Sequence, residues 1–167
     1  MLIVLGGLPG TGKTTVARNL SRRLGAVHIR IDTIEQAMRD AGAVTGPMDD
    51  RGYRIAYAVA GDNLRLGRVV IADSVNPVAI TRDAWRTVAE QAGVRAIEVE
   101  IVCSDTAEHR RRVETRPTDI SGLALPAWND VLLRHYEPWD SADLVVDTAG
   151  RDLDAITEDL LSKLAAG

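Results

Sequence analysis

The sequence predicts an α/β protein in which helices cover both faces of a five-stranded parallel sheet. Three observations carry that prediction. Five short apolar runs recur along the 167 residues, at 2–5, 27–31, 69–72, 97–103 and 144–146. Most of the stretches between them place apolar residues at helical spacing. A glycine-rich turn joins the first run to the first helix, and sheets of this kind bind ligands at the carboxyl ends of their strands.

Leu2, Ile3, Val4 and Leu5 form an uninterrupted apolar run, as expected for a strand covered on both faces. Residues 14–24 follow as a helix with Val16, Ala17, Leu20 and Leu24 on one side. The second strand, 27–31, ends at Asp32, and Thr33 with Gln36 has the spacing of a capping box that opens a helix through Ala41. Gly42, Gly46 and Pro47 break it. Residues 50–66 carry Ile55, Val59 and Leu66 at spacings a helix accepts, and Gly67 is placed to end it in the left-handed conformation. The third strand runs into Asp73, and Ser74, Val75, Asn76 and Pro77 lead to a helix over 80–92. After the fourth strand, Asp105 and Glu108 open an arginine-rich helix to about Thr115. Pro117, Gly122, Pro126 and Pro138 make 117–139 largely loop, with one helix near 127–135. A fifth strand and a helix over 153–164 follow.

A chain of 167 residues is expected to form one domain, 1–167, with a core that needs no staple. A single cysteine, Cys103, excludes an internal disulfide framework and suits a cytoplasmic protein. The apolar runs fall far short of the ~20 residues of a membrane helix. No basic segment followed by a long apolar one opens the sequence, so no secretory signal is expected. Twenty basic residues against 24 acidic ones give a net charge of -4, which argues against a protein that coats nucleic acid. A small anionic ligand in one basic pocket fits that balance.

Residues 7–14, Gly-Leu-Pro-Gly-Thr-Gly-Lys-Thr, satisfy the pattern G-x-x-x-x-G-K-[ST], after a buried strand and before a helix. Glycines let such a loop curl until successive N–H groups point inward, and the helix behind it adds its positive end. Leu8, Pro9, Gly10, Thr11, Gly12, Lys13, Thr14 and Thr15 are therefore expected to cup the phosphates of ATP. Lys13, one of only two lysines, would reach the β- and γ-phosphates, and the Thr14 hydroxyl would ligate Mg²⁺.

Other candidates stand at the ends of the predicted strands. Asp32 is placed either to take the proton of an attacking hydroxyl or to cap the helix that follows. Asp73 is placed to support the metal or to make a turn. Asn76 either starts a helix or orients a substrate. Arg110, Arg111, Arg112 and Arg116 cluster on one predicted helix, and Arg112 and Arg116, four apart, are expected to share a face. They form a solvated surface or close on a transferring phosphate. Trp128, Tyr136 and Trp139 either wall a substrate pocket or pack under a loop. His28, His109 and His135 show no metal-ligand spacing and read as core or surface residues.

With the loop at 7–15, Asp32 and the run Asp-Ser-Val-Asn-Pro at 73–77, the chain resembles the small P-loop kinases typified by the kinase domain of polynucleotide kinase, chloramphenicol phosphotransferase and zeta toxin. The resemblance implies a P-loop NTPase fold, three-layer α/β/α, with strand order 2-3-1-4-5. It also implies a catalytic base at Asp32, an arginine-rich lid within 105–139, and a base-binding loop around Thr148. Polynucleotide kinases carry an arginine shortly after the base aspartate, whereas this chain has Thr33, Ile34 and Glu35. The expected activity is therefore ATP-dependent phosphorylation of a hydroxyl on a small molecule, nucleoside-, sugar- or antibiotic-like. Gly10, Gly12, Lys13 and Thr14 would hold ATP·Mg²⁺, and Arg112 or Arg116 would neutralise charge in the transition state. A polynucleotide 5′-hydroxyl kinase, a nucleoside monophosphate kinase and a regulatory ATPase are the alternatives.

Overall fold

Five strands, β1 (Leu2–Gly6), β2 (Val27–Arg30), β3 (Val70–Asp73), β4 (Ala96–Val102) and β5 (Leu144–Asp147), pair in parallel in the order β2-β3-β1-β4-β5. That is the order implied by the likeness to P-loop kinases. The computed structural model describes residues 1–166. Its helices are α1 (Lys13–Leu24), α2 (Ile31–Asp40), α3 (Arg51–Arg65), α4 (Ala79–Gln91), α5 (Thr106–Thr115), α6 (Trp128–Leu132) and α7 (Leu153–Ala166).

The central position of β1 explains its unbroken apolar run, because side chains on both of its faces are fully buried. On one face Ile3, Leu5, Ile71 and Ile101 pack against Val16 and Leu20 of α1 and Leu160 of α7. On the other, Leu2, Val4 and Ala72 meet Ala56, Ala60 and Leu64 of α3 and Trp85 of α4. Each large side chain so buried contributes roughly 1.5–3 kcal/mol, which anchors the strand whose end carries the glycine loop. Register then aligns the chemistry, since Leu5 of β1 and Arg30 of β2 both sit beside Asp73 of β3.

Three boundaries differ from the sequence-based expectation. The second strand stops at Arg30, and α2 begins at Ile31 with no side-chain cap, so Asp32 lies in its first turn and Thr33 opens no capping box. Arg116 follows the last helical residue of α5 in extended conformation, so it does not share a helical face with Arg112. The helix expected near 127–135 is the single turn and a half of α6. Other features match: Asp105 caps α5 by accepting from the amides of Ala107 and Glu108, and Gly67 has φ 76.

Candidate active site

The loop between β1 and α1 turns on Gly10 and Gly12, with φ of 89 and 96. A Cβ on Gly10 would lie 2.4 Å from Val113 Cγ2, so α5 presses directly on the loop. His109 of the same helix donates from Nε2 to the Pro9 carbonyl at 2.8 Å, and the edge of its ring meets Trp128 with centroids 5.2 Å apart. The first bond of α1 runs from the Val16 amide to the Gly12 carbonyl, which leaves the amides of 12–15 without helical acceptors. Such a cluster of free donors at a helix N-terminus fits a polyphosphate.

Lys13 is buried, and its Nζ donates to the Leu8 carbonyl at 3.1 Å, folding the ammonium across the loop. Burial pushes its pKa down to about 8; the charges of Asp73 and Asp32 work against that shift, and those of Arg116 and Arg134 reinforce it. Asp73 is itself almost wholly buried, with His28 Nε2 at 3.1 Å from its Oδ2. Burial would raise the Asp73 carboxyl, but the His28 contact, the Lys13 charge and the Thr14 hydroxyl together hold it below the usual carboxylate range. A hard cation favours oxygen donors, so this carboxylate beside the Thr14 hydroxyl fits Mg²⁺.

Asp32 is half exposed, with Arg30 Nη2 at 3.5 Å from its Oδ2. One turn further along α2, burial raises the Glu35 carboxyl, and the Asp32 charge adds to the effect. Of the two carboxylates, Asp32 is the more open to an incoming hydroxyl.

A cleft of about 440 Å³ runs from Lys13, Thr14 and Thr15 past Arg112, Arg116, Thr148 and Arg151. Arg112 is locked in place: Nη1 donates to Thr148 Oγ1 at 2.8 Å, while Nη2 donates to the Thr148 carbonyl at 3.0 Å and to Glu108 Oε1 at 2.5 Å. Thr148 in turn donates to the Thr11 carbonyl at 2.8 Å, tying the loop after β5 to the phosphate loop. Pro117, Asp119 and Leu125 of the following segment line the same cleft.

Four of the sequence candidates, Asn76, Trp128, Tyr136 and Trp139, stand elsewhere. Asn76 is fully buried at φ 48; its Nδ2 donates to the Leu5 carbonyl at 3.0 Å and its Oδ1 accepts from Trp85 Nε1 at 3.2 Å. The amide is thus committed to the core. Tyr136 donates to Glu100 Oε1 at 2.9 Å and packs with the buried Arg82, whose guanidinium also covers the Trp139 ring. Trp139 fills the space a Cβ on Gly6 would take. Trp128 braces His109, outside the cleft lining. Sequence reasoning passed over Arg18, Arg30 and Asp119, and read His28 and His109 as core or surface residues without their partners, Asp73 and the Pro9 carbonyl. His28 and Arg30 alternate along β2 toward Asp73, a signal that strand register alone reveals.

The family model described as "AAA domain" matches residues 2–138. An uncharacterized protein of Mycobacterium tuberculosis is 37% identical over 75 residues, a stretch covering 42% of this chain and 15% of that protein. The chain thus spans a small part of that relative's length. Shikimate kinase of Frankia casuarinae is 30% identical over 98% of this chain and 72% of its own length. Among solved structures, the Mycobacterium tuberculosis APS kinase in complex with AMPPNP and APS superposes with a TM-score of 0.73 at 22% identity, covering 98% of this chain and 96% of that one. With its P-loop and sheet order already evident, the chain belongs to the AAA domain family and to the small P-loop kinases.

Proposed function

We propose that the chain transfers the γ-phosphoryl group of ATP to a hydroxyl of a small molecule. The observation that carries this reading is the phosphate loop with its buried Lys13, the buried Asp73 beside Arg30 at the strand ends, Asp32 at 3.5 Å from Arg30, and Arg116 lining the same cleft as Lys13. Relatives named as kinases of shikimate and of adenylyl-sulfate support it. Mg²⁺, bound with ATP, would offset charge on the β- and γ-phosphates.

The loop amides and Lys13 would hold the triphosphate, and Thr14 and Asp73 the metal. Arg112, fixed by Thr148, would border the nucleotide. Asp32 would accept the proton of the acceptor hydroxyl as its oxygen bonds to the γ-phosphorus. The bond from that phosphorus to the β–γ bridging oxygen breaks, and ADP leaves with the electron pair. Arg116 would neutralise charge spreading over the transferring group.

The test is a screen of hydroxylated metabolites with labelled ATP, followed by Asp32→Asn on any acceptor found. A general base contributes about 10²–10⁴-fold, so turnover should fall by that factor while ATP binding stays near normal. Equal turnover by the variant would remove Asp32 from the mechanism. Loss of ATP with no phosphorylated product in the screen would favour a regulatory ATPase.

A further inference from the structure

We propose that the acceptor carries an anionic group, that this group docks on Arg30 with Arg18 and Arg116 beside it, and that Asp119 holds its place in the structure described above. The inference deepens the reading of Asp32 as base and rests on it. Arg30 leaves the end of β2 with its side chain 11% exposed, and its Nη1 donates to both Asp119 oxygens at 3.0 and 2.9 Å. Arg18 of α1 also pairs with that carboxylate. The two guanidinium groups hold the Asp119 carboxyl down to about 2, with the Arg18 contact the larger cause.

Three features mark this as an anion site instead of an ordinary surface ion pair. First, Arg30 Nε is buried and has no hydrogen-bond partner. Unused donors on buried cations are costly, and a larger anion with more oxygens would satisfy them. Second, Arg18, Arg116 and Asp119 line one cleft, and Arg30 pairs with both Asp119 and Asp32, so three arginines stand about two carboxylates. If Asp119 swings away with its loop, the excess of positive charge grows by one. Third, Arg30 Nη2 lies 3.5 Å from Asp32. A group docked on Arg30 would therefore be the non-reacting end of a molecule whose hydroxyl meets Asp32.

Asp119 is suited to yield. Its side chain is 41% exposed, and solvent-screened pairs hold weakly. A carboxylate, sulfate or phosphate ester could accept from Arg30 through two oxygens, as Asp119 does. The γ-phosphate of ATP is the competing occupant, since Arg18, Arg116 and Asp119 also line the nucleotide cleft, although Arg30 does not.

The test fills the γ-phosphate position first. The full chain, saturated with Mg·AMPPNP, is titrated with sodium sulfate by calorimetry as wild type, Asp119→Asn, Arg30→Gln, and the double variant. Losing one charge-assisted contact corresponds to about tenfold or more in affinity. Asp119→Asn should bind sulfate at least about tenfold more tightly than wild type, and adding Arg30→Gln should abolish that gain. Arg30→Lys in the Asp119→Asn background keeps the charge without the fork and should give an intermediate value, which guards against a misfolded glutamine variant. Equal affinity in wild type and Asp119→Asn, or a gain that survives Arg30→Gln, would overturn the proposal. No turnover enters this readout, so it stands or falls apart from the Asp32→Asn result.

Discussion

Raising the pH from 7 to 9.5 should weaken nucleotide binding by about thirtyfold, and Lys13 should be the cause. Burial holds this lysine at about 8, the neighbouring carboxylates Asp73 and Asp32 offsetting only part of the effect. A triphosphate brought against the ammonium would stabilise its charged form and raise that value in the complex. The nucleotide thus selects protonated Lys13. Affinity is fully present below pH 8, and above it falls about tenfold per pH unit, because binding must then draw a proton from solution. Calorimetry in two buffers of different ionisation enthalpy reads both the affinity and the proton uptake. Lys13→Met should bind weakly at every pH, with no uptake. If the wild-type affinity at pH 9.5 stays within about threefold of that at pH 7, with no protons taken up, the reasoning fails. Stability has the opposite sign. A lysine whose folded pKa lies below its unfolded value of about 10.4 costs stability at pH 7 and returns it as pH rises from 8 toward 10.4. Lys13→Met should therefore stabilise the nucleotide-free protein at pH 7 by up to about 3 kcal/mol in urea unfolding.

Three further outcomes are expected. Gly10→Ala combines φ 89 with a Cβ 2.4 Å from Val113 Cγ2, so it should lower stability by about 1–3 kcal/mol and disturb nucleotide binding; thermal unfolding and calorimetry check both. Arg112→Ala removes the bonds to both Thr148 oxygens and to Glu108, and nucleotide affinity should fall about tenfold or more, with stability less affected. Asn76→Ala leaves the Trp85 N–H without its acceptor, leaves the Leu5 carbonyl only the Ser74 amide at 3.5 Å, and places a non-glycine residue without a side-chain amide at φ 48, so it should cost about 2–4 kcal/mol in urea unfolding. The acceptor KM of the folded fraction should not change; a selective rise in KM would return Asn76 to the acceptor site.

The buried first strand and the glycine loop were legible because each rests on short-range rules, whereas the full strand order came from the resemblance to P-loop kinases. An apolar run such as 2–5 has one natural place, at the centre of a parallel sheet, and the 7–14 motif states its own geometry. The beginning of α2 was misread because Thr33 and Gln36 imitate a capping box, while the chain instead enters the helix directly from β2. The aromatic residues of the late segment were ambiguous for another reason. Tyr136 and Trp139 are organised by Arg82, more than fifty positions away, and no local pattern marks an arginine that will be buried. His109 was hidden in the same way, since its partner is a backbone carbonyl one hundred positions earlier.

The arginines show how one cluster can divide its work. Arg112 lies within α5, and three hydrogen bonds to two neighbours, Thr148 and Glu108, fix its fork before any ligand arrives. Its ordering entropy is met on folding, so it can border a nucleotide without further cost. Arg116 lies just past the helix end, with a buried Nε that has no partner. That donor gains a partner only if an anion arrives, which makes its interaction stronger in the charged transition state than at rest. If the division is correct, Arg112→Lys should raise the KM for ATP with little change in kcat, and Arg116→Lys should lower kcat with little change in KM. The reverse pattern would exchange their roles.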